Sequence, residues 1–135
     1  MSVTGFENYT YELNDFELNV LVPVVVWAWK TKPYEEKGFT KMKDMVKGLK
    51  KYYTEKGEEK TAKRITPPRL RKVFHHIRVQ GLVPGLVATS KGYFKTKDVE
   101  VMKKYVESCR ERSNSFAEVA QAMDNQLVNL LKERA

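Results

Sequence analysis

Cysteine is almost absent from this sequence, since Cys109 is the single one among 135 residues. One thiol cannot form an internal disulfide framework, so the chain is not a disulfide-stabilised secreted scaffold and fits a reducing cytosol. Long apolar runs are lacking as well. The longest, Val20 to Trp29, contains Pro23 and has about half of the ~20 residues that a membrane-spanning helix needs. Met1 to Tyr11 lack the basic and apolar regions of a signal peptide. We therefore expect a soluble, cytoplasmic protein.

Positive charge is missing from the start of the chain. Residues 1–29 contain four acids and no lysine or arginine, whereas residues 30–97 contain nineteen bases against six acids, a net charge of +13. Residues 98–135 carry −1, and the whole chain carries +8. Segregated positive charge attracts phosphate backbones and speeds encounter with them. A solvated surface that keeps the protein soluble is the alternative, but solubility does not require such segregation.

Patterns of catalytic or cofactor-binding residues are also absent. The glycines are scattered singly, so there is no glycine-rich phosphate loop, and no serine stands in a nucleophile elbow. His75 and His76 are neighbours rather than an i, i+4 pair, and with one thiol in the chain a zinc site is not expected. We therefore predict no enzyme, no cofactor and no metal site.

The first helix signal comes after an N-terminal arm, residues 1–13. Asn14 followed by Glu17 has the form of a capping box, which satisfies free amide groups at a helix start. The run Leu18 to Trp29 is apolar nearly all round, and by propensity alone it is also compatible with a buried strand. Pro23 argues against a central strand because it cannot donate a ladder hydrogen bond. We predict a helix that is kinked or restarted at Pro23.

A second helix is predicted after a loop, with Thr40 as its cap. Its core stripe has the helical spacing i, i+3, i+4 and i+7 and consists of Met42, Met45, Val46 and Leu49. The polar stretch from Tyr52 to Arg64, centred on Gly57, is predicted to be a long mobile connection. Its two tyrosines, Tyr52 and Tyr53, either close the second helix against the core or stack on nucleobases.

The third helix has the clearest boundaries in the sequence. Thr66 is a good N-cap, Pro67 suits the first helical position, and Gly81 is placed for a left-handed C-cap. A core stripe is predicted for Leu70, Val73, Phe74 and Ile77. The opposite side is predicted to be basic and exposed, with Arg69, Arg71, Lys72, His75, His76, Arg78 and Val79.

After Gly81 the apolar period changes to that of strands. Residues 82–89 and 93–96 are separated by Ser90, Lys91 and Gly92, which predicts a β-hairpin with a cationic tip. Asp98 then caps a further helix with a stripe of Met102, Tyr105, Val106 and Cys109, in which the thiol is expected to be buried. A break or bend is predicted near residues 113–115.

The final helix has a heptad-like seam formed by Phe116, Ala120, Met123, Leu127 and Leu130. Two readings stay open: the seam packs within the chain, or it pairs two copies of the chain through Phe116, Met123, Leu127 and Leu130. The predicted organisation is an arm (1–13), a folded domain (14–97) and a C-terminal helical segment (98–135).

The order helix, helix, helix, hairpin is that of a winged helix-turn-helix, mainly α with a small β-hairpin. In that fold the third helix, here residues 66–80, enters the major groove of DNA, and the hairpin wing, here 82–96, touches the backbone or minor groove. The residue chemistry suits double-stranded DNA, because arginine and lysine bind guanine and hydroxyls bind phosphates. The predicted contacts are Thr66, Arg69, Arg71, Lys72, His75, His76, Arg78, Thr89, Ser90, Lys91 and Lys95.

The stretch RLRKVFHHIRVQGLVPGLVATSKGYF, residues 69–94, followed by YVES at residues 105–108, resembles small winged-helix proteins of phages and mobile elements. The resemblance implies a DNA-binding helix and wing with no catalytic residues, in a phage or mobile-element regulator or replication accessory protein of the host cytoplasm. The chain departs from the pattern at residues 52–64, which are far longer than a tight helix-turn-helix connection. The alternative is an interaction module that binds an acidic protein or RNA. The basic face of the third helix and Lys91 at the wing tip favour DNA.

Overall fold

The computed structural model describes residues 12–34 and 39–134, and all but the last two residues of the predicted arm lie outside these ranges. The chain divides into two compact units between Lys97 and Asp98. The first contains helices and a two-stranded antiparallel hairpin, and the second contains one long helix. The prediction of a mainly helical fold with a small hairpin is therefore confirmed.

The first helix begins as its sequence predicts. The Asn14 backbone N–H donates to Glu17 Oε1 at 3.0 Å, and the Glu17 N–H donates to Asn14 Oδ1 at 2.8 Å, which is a reciprocal capping box. Glu17–Leu21 then forms a π-helical turn that leads into α1, Val22–Lys30. Pro23 lies in the first turn of α1, directly after the π-helical turn. The predicted helix over this run is confirmed, and its geometry changes from π-helical to α-helical just before Pro23.

Helix α2, Met42–Glu55, confirms the predicted core stripe, because Met45 is buried and Met42, Val46 and Leu49 pack against the core. The predicted cap is wrong, because Thr40 lies outside the helix and Lys41 takes the N-cap position without a side-chain bond. The Thr40 backbone instead forms an antiparallel bridge with Tyr93, with N–H···O distances of 2.8 and 2.9 Å. The hydroxyl of threonine suits a cap, but the β-branched side chain also suits a strand.

The predicted mobile connection over residues 52–64 is also wrong. Helix α2 continues to Glu55, Gly57 turns the chain at a φ of 77°, and a short helix α3, Glu59–Lys63, follows. Three apolar side chains hold this segment to the core, since Tyr53, Ala62 and Ile65 are buried. They are too widely spaced among charged residues to produce a helical period in the sequence. Of the two predictions made for Tyr53, packing against the core is therefore the one observed.

Helix α4, Pro67–Gln80, has the predicted boundaries. The Thr66 hydroxyl accepts from the Arg69 N–H at 3.4 Å, and Gly81 ends the helix with a φ of 66°. All members of the predicted core stripe are buried, namely Leu70, Val73, Phe74 and Ile77. This helix is the centre of the first unit.

The hairpin is shorter than predicted and consists of β1, Leu86–Thr89, and β2, Gly92–Lys95, in a register that pairs Thr89 with Gly92. Its loop therefore has two residues, Ser90 and Lys91. The predicted strand start at residue 82 is wrong because Pro84 lacks a ladder donor and Gly85 has a φ of 81°. Those two residues form a turn instead.

Aromatic packing joins these elements around Phe74. Its ring meets Trp29 of α1 edge-on at 5.9 Å between centroids and lies 4.4 Å from Tyr93 of the hairpin. Trp29 is 3% exposed, whereas Trp27 is 61% exposed. Of these two tryptophans, Trp29 therefore belongs to the core.

The second unit is helix α5, Val99–Glu133, and Asp98 caps it by accepting from the N–H groups of Glu100 and Val101 at 2.9 and 3.3 Å. The predicted break near residues 113–115 is wrong, because the helix is continuous. Serine and asparagine have only a weak preference against helix interiors. Cys109, predicted to be buried, is exposed. None of the described helices is both long and apolar enough to cross a membrane.

Candidate nucleic-acid interface

A groove of about 800 Å³ lies between the hairpin tip and the beginning of α2. Its lining combines four cations with small hydroxyl side chains. The cations are Lys41, Lys43, Arg71 and Lys91, and the hydroxyls are Thr89 and Ser90. Arg71, Ser90 and Lys91 are exposed to solvent. A concave surface lined with cations and hydroxyls has the chemistry of a phosphate-binding surface.

The bridge between Thr40 and Tyr93 lies beside this groove, whose lining includes Tyr93. It holds the chain beside β2, so that Lys41 and Lys43 begin α2 next to the hairpin. Gly92 is required for this close approach. It has a φ of 136°, and a Cβ at this position would lie 2.6 Å from the Thr40 carbonyl oxygen. The glycine predicted from turn geometry thus also makes room for a neighbouring chain segment.

The two-residue turn of the hairpin is fixed by the Thr89 side chain. Its hydroxyl donates to the Gly92 carbonyl at 3.0 Å and accepts from the Lys91 N–H at 3.2 Å. The hydroxyl of Thr89 is therefore used within the hairpin, while Ser90 and Lys91 face solvent. The Lys91 ammonium group lies 5.9 Å from the centre of the Phe39 ring, which also packs edge-on against Phe94 at 5.1 Å.

Lys72 does not lie on an open basic face, so that part of the prediction is wrong. Its ammonium group lies 2.9 Å from Oε1 of Glu17, whose side chain is completely buried. The long lysine side chain reaches back along α4 to this carboxylate, and 29% of it remains exposed. A buried carboxylate needs a partner, and Lys72 provides it.

Lys95 is likewise not an exposed wing residue, since only 3% of its surface is accessible. Its ammonium group lies 4.5 Å from the centre of the Tyr34 ring, and that of Lys97 lies 4.4 Å from the same ring. Burial lowers the pKa of Lys95, and the neighbouring charge of Lys97 lowers it further. The aromatic ring attracts both cations through its negatively charged face.

The first turn of α4 also uses its polar groups within the protein. The Thr66 hydroxyl is the N-cap acceptor, and the Arg69 guanidinium donates to the Arg64 carbonyl at 3.2 Å. The guanidinium groups of Arg64 and Arg69 lie 3.8 and 5.6 Å from the centre of the Phe16 ring. These contacts hold the Arg69 guanidinium beside Phe16 and Arg64. Arg69 does not line the groove.

His75, His76 and Arg78 are half-buried rather than fully exposed. Burial lowers the pKa of His75, and the nearby Arg78 and His76 lower it further. These surroundings therefore favour the neutral form of the His75 imidazole, in which one nitrogen is a donor and the other an acceptor.

Of the eleven predicted contact residues, the groove brings together Arg71, Thr89, Ser90 and Lys91. Sequence reasoning missed Phe39, Lys41 and Lys43, which also line it. Their charge and aromatic character were visible in the sequence. Their position beside the hairpin was not, because Thr40 was taken as a helix cap rather than as the partner of Tyr93.

The described residues contain no cluster of three or more histidine, cysteine, aspartate or glutamate side chains suited to a metal ion. Comparison of the chain with family models, with curated proteins and with solved structures gives no match.

Proposed function

We propose that the first unit binds double-stranded DNA as a winged helix-turn-helix, with α4 at the major groove and the hairpin as the wing. The observation that carries this proposal is the convergence of four cations from three parts of the chain on one groove. Lys41 and Lys43 come from the start of α2, Arg71 from α4 and Lys91 from the hairpin turn. Phosphates of a DNA backbone are the ligands that such a cationic surface attracts.

The order of elements supports the same proposal. In a winged helix-turn-helix, a wing hairpin follows the recognition helix. In this chain α1, α2 and α4 precede the hairpin, and the bridge at Thr40 adds a short third segment beside β2. Helix α3 is an addition between α2 and α4. The resemblance of residues 69–94 to phage and mobile-element proteins points to a regulator or a replication accessory factor.

The proposed contacts differ from those predicted from sequence. Arg71, Ser90 and Lys91 remain, and Lys41 and Lys43 join them. His75 and His76 follow Arg71 by about one turn on α4, where an imidazole can hydrogen-bond to a base edge. Lys72 and Lys95 act within the protein instead, through Glu17 and Tyr34.

The test is a titration of a labelled random-sequence duplex of about 25 base pairs, followed by fluorescence anisotropy at several salt concentrations. We expect the logarithm of the binding constant to fall linearly with the logarithm of salt concentration. Arg71→Glu and Lys91→Glu should each weaken binding about tenfold and reduce the salt slope by about one. Lys60→Glu is the matched control, because Lys60 is exposed on α3 and does not line the groove.

Two results would overturn the proposal. One is the absence of duplex binding at about 50 mM salt, where phosphate contacts are strongest. The other is equal weakening by all three charge reversals, since binding would then follow net charge rather than the groove. Lys72→Glu is unsuitable as a probe because it would place a second carboxylate beside the buried Glu17.

The second candidate function is an interaction module for an acidic protein or RNA. The observation in its favour is Trp27, which is 61% exposed at the edge of an apolar hollow of about 270 Å³ between α1 and α2. Exposed tryptophan is typical of protein interfaces. Adding unlabelled duplex RNA as a competitor in the same titration shows whether the protein prefers DNA or RNA. A partner recovered by wild type and lost with Trp27→Ala, without any change in DNA affinity, would favour a protein-binding role.

A further inference from the structure

Helix α5 carries a continuous apolar face. Of its residues, Val99–Glu133, none is buried. The exposed fractions are large even for the bulkiest side chains, with 74% for Phe116, 56% for Met123 and 51% for Leu127. An exposed apolar surface of this extent is rare on a monomeric protein and usually marks an interaction site.

The apolar face follows one heptad register through the entire helix. Ten positions alternate at spacings of three and four, with nine apolar residues and one serine: Val99, Met102, Val106, Cys109, Ser113, Phe116, Ala120, Met123, Leu127 and Leu130. Apart from Tyr105, the residues of the two stripes that the sequence predicted on separate helices all lie in this single seam. A repeat of 3.5 residues sustained over more than four heptads is the pattern of a helix that supercoils with another helix.

We propose that α5 pairs with α5 of a second copy of this chain in an antiparallel coiled coil. The register places Ser113 of each helix opposite Phe116 of the second copy at the centre. In the next layer outward, Cys109 of one copy faces Ala120 of the second copy. The outermost layer sets Val99 of one copy against Leu130 of the second copy. This pairing is independent of the DNA-binding proposal, because it uses only the second unit.

The sizes of the seam side chains favour the antiparallel direction. It places the large Phe116 against the small Ser113, so that the two central layers have equal volumes, and the smaller layers of Cys109 against Ala120 lie next to them. In a parallel pair each residue would face its own copy, and a layer of two serines would stand beside a layer of two phenylalanines. Efficient packing sets large against small residues across facing positions, because voids and overpacking both destabilise.

One pair of opposite charges beside the seam fits the same direction. In the antiparallel register Lys103 of one copy and Asp124 of the second copy flank the same gap between two layers, and the twofold symmetry forms this pair twice. In a parallel register Asp124 would instead approach Val119 of the second copy, and Lys103 would approach Asp98, whose carboxylate already caps its own helix.

The area is sufficient for a stable pair. Ten seam side chains per helix, each losing on the order of 80 Å², bury on the order of 1,600 Å² in total, which is the size of a standard stable interface. The register also places the two Asp98 caps about 50 Å apart, since residues 98 and 131 are separated by 33 helical rises of 1.5 Å. A parallel pair would bring the caps side by side.

The first test is the mass of the full-length protein in solution by sedimentation equilibrium. We expect two chains per particle for the wild type, and monomers at the same concentration for Leu127→Lys. Asn125→Lys introduces the same charge outside the seam and should remain dimeric. A wild-type monomer at about 100 μM, or a particle of three or more chains, would overturn the proposal.

Disulfide trapping under oxidising conditions tests the direction. Cys109 and position 120 of the second copy face each other only in the antiparallel pair, so Ala120→Cys should give a covalent dimer. Wild type and the double variant Cys109→Ala/Ala120→Cys should not, because their thiols lie about 16 Å apart, beyond the ~7 Å Cα separation that a disulfide spans. Efficient cross-linking of either of these two proteins would show a parallel pair. Far-ultraviolet circular dichroism verifies that α5 is helical in every variant.

Discussion

The ammonium group of Lys72 lies 2.9 Å from the carboxylate of Glu17, and this ion pair joins α4 to the π-helical turn before α1. Glu17 Oε1 also accepts the N–H of Asn14, so one oxygen serves both the capping box and the lysine. The other oxygen, Oε2, is buried and has no hydrogen-bond partner among the described residues. The stability of this carboxylate therefore depends on Lys72.

We predict that Lys72→Met lowers the free energy of unfolding by about 3–5 kcal/mol, since it leaves a buried charge without its partner. The double variant Glu17→Gln/Lys72→Met should regain most of this loss. Glutamine keeps an oxygen for the Asn14 N–H and removes the charge. Urea unfolding followed by circular dichroism measures both.

Arg71→Met is the control, because Arg71 is exposed one position earlier and its substitution should change stability by less than about 0.5 kcal/mol. Equal stability of the Lys72 and Arg71 variants would contradict the prediction.

Two glycine-to-alanine substitutions should have opposite effects. Gly92→Ala places a methyl group 2.6 Å from the Thr40 carbonyl oxygen at a φ of 136°, so we expect a loss of about 1–3 kcal/mol. Gly48→Ala lies within α2 with nothing within 4 Å of the added carbon and should stabilise by about 0.5–1 kcal/mol. Thermal unfolding compares the two. A neutral Gly92→Ala would mean that Thr40 and Tyr93 do not need this close approach.

Local chemistry made much of the fold predictable. The Asn14–Glu17 capping box, the Thr66 cap and the Gly81 C-cap depend on residues within four positions of one another, and all three are present. The core stripes of α2 and α4 follow from helical periodicity alone. These features depend only on residues that are close to one another in the sequence.

What the sequence did not reveal depends on distant partners. Lys72 was expected on an open face because its partner, Glu17, lies 55 positions away. Thr40 was read as a cap because its bridge to Tyr93 spans more than fifty positions. Such pairings leave no periodic signal in either segment. The cationic groove was therefore only half predictable, since the bridge is what brings Lys41 beside Lys91.

Stability should fall as the pH decreases through the titration of His75. Burial, with Arg78 and His76 nearby, lowers the pKa of His75 below its ordinary value of 6.5, so the unfolded chain binds the proton first. Its contribution to stability is therefore fully present above about pH 7 and is lost as the pH falls below 6.5. We expect urea midpoints to decrease from about pH 7.5 to about pH 5.5, and His75→Gln to flatten this dependence. His76→Gln is the control. An unchanged slope in His75→Gln would assign the titration to another group.

Charge reversal beside the α5 seam should reveal the direction of pairing. Lys103→Glu places two carboxylates together twice in the antiparallel pair, and Asp124→Lys does the same with two ammonium groups. Each should raise the dissociation constant of the dimer roughly threefold to tenfold. The double variant Lys103→Glu/Asp124→Lys restores opposite charges, so its dissociation constant should return to the wild-type value. In a parallel pair the two positions lie about 32 Å apart and their effects would simply multiply. Sedimentation at low and high salt measures the coupling, which should weaken as salt screens the charges.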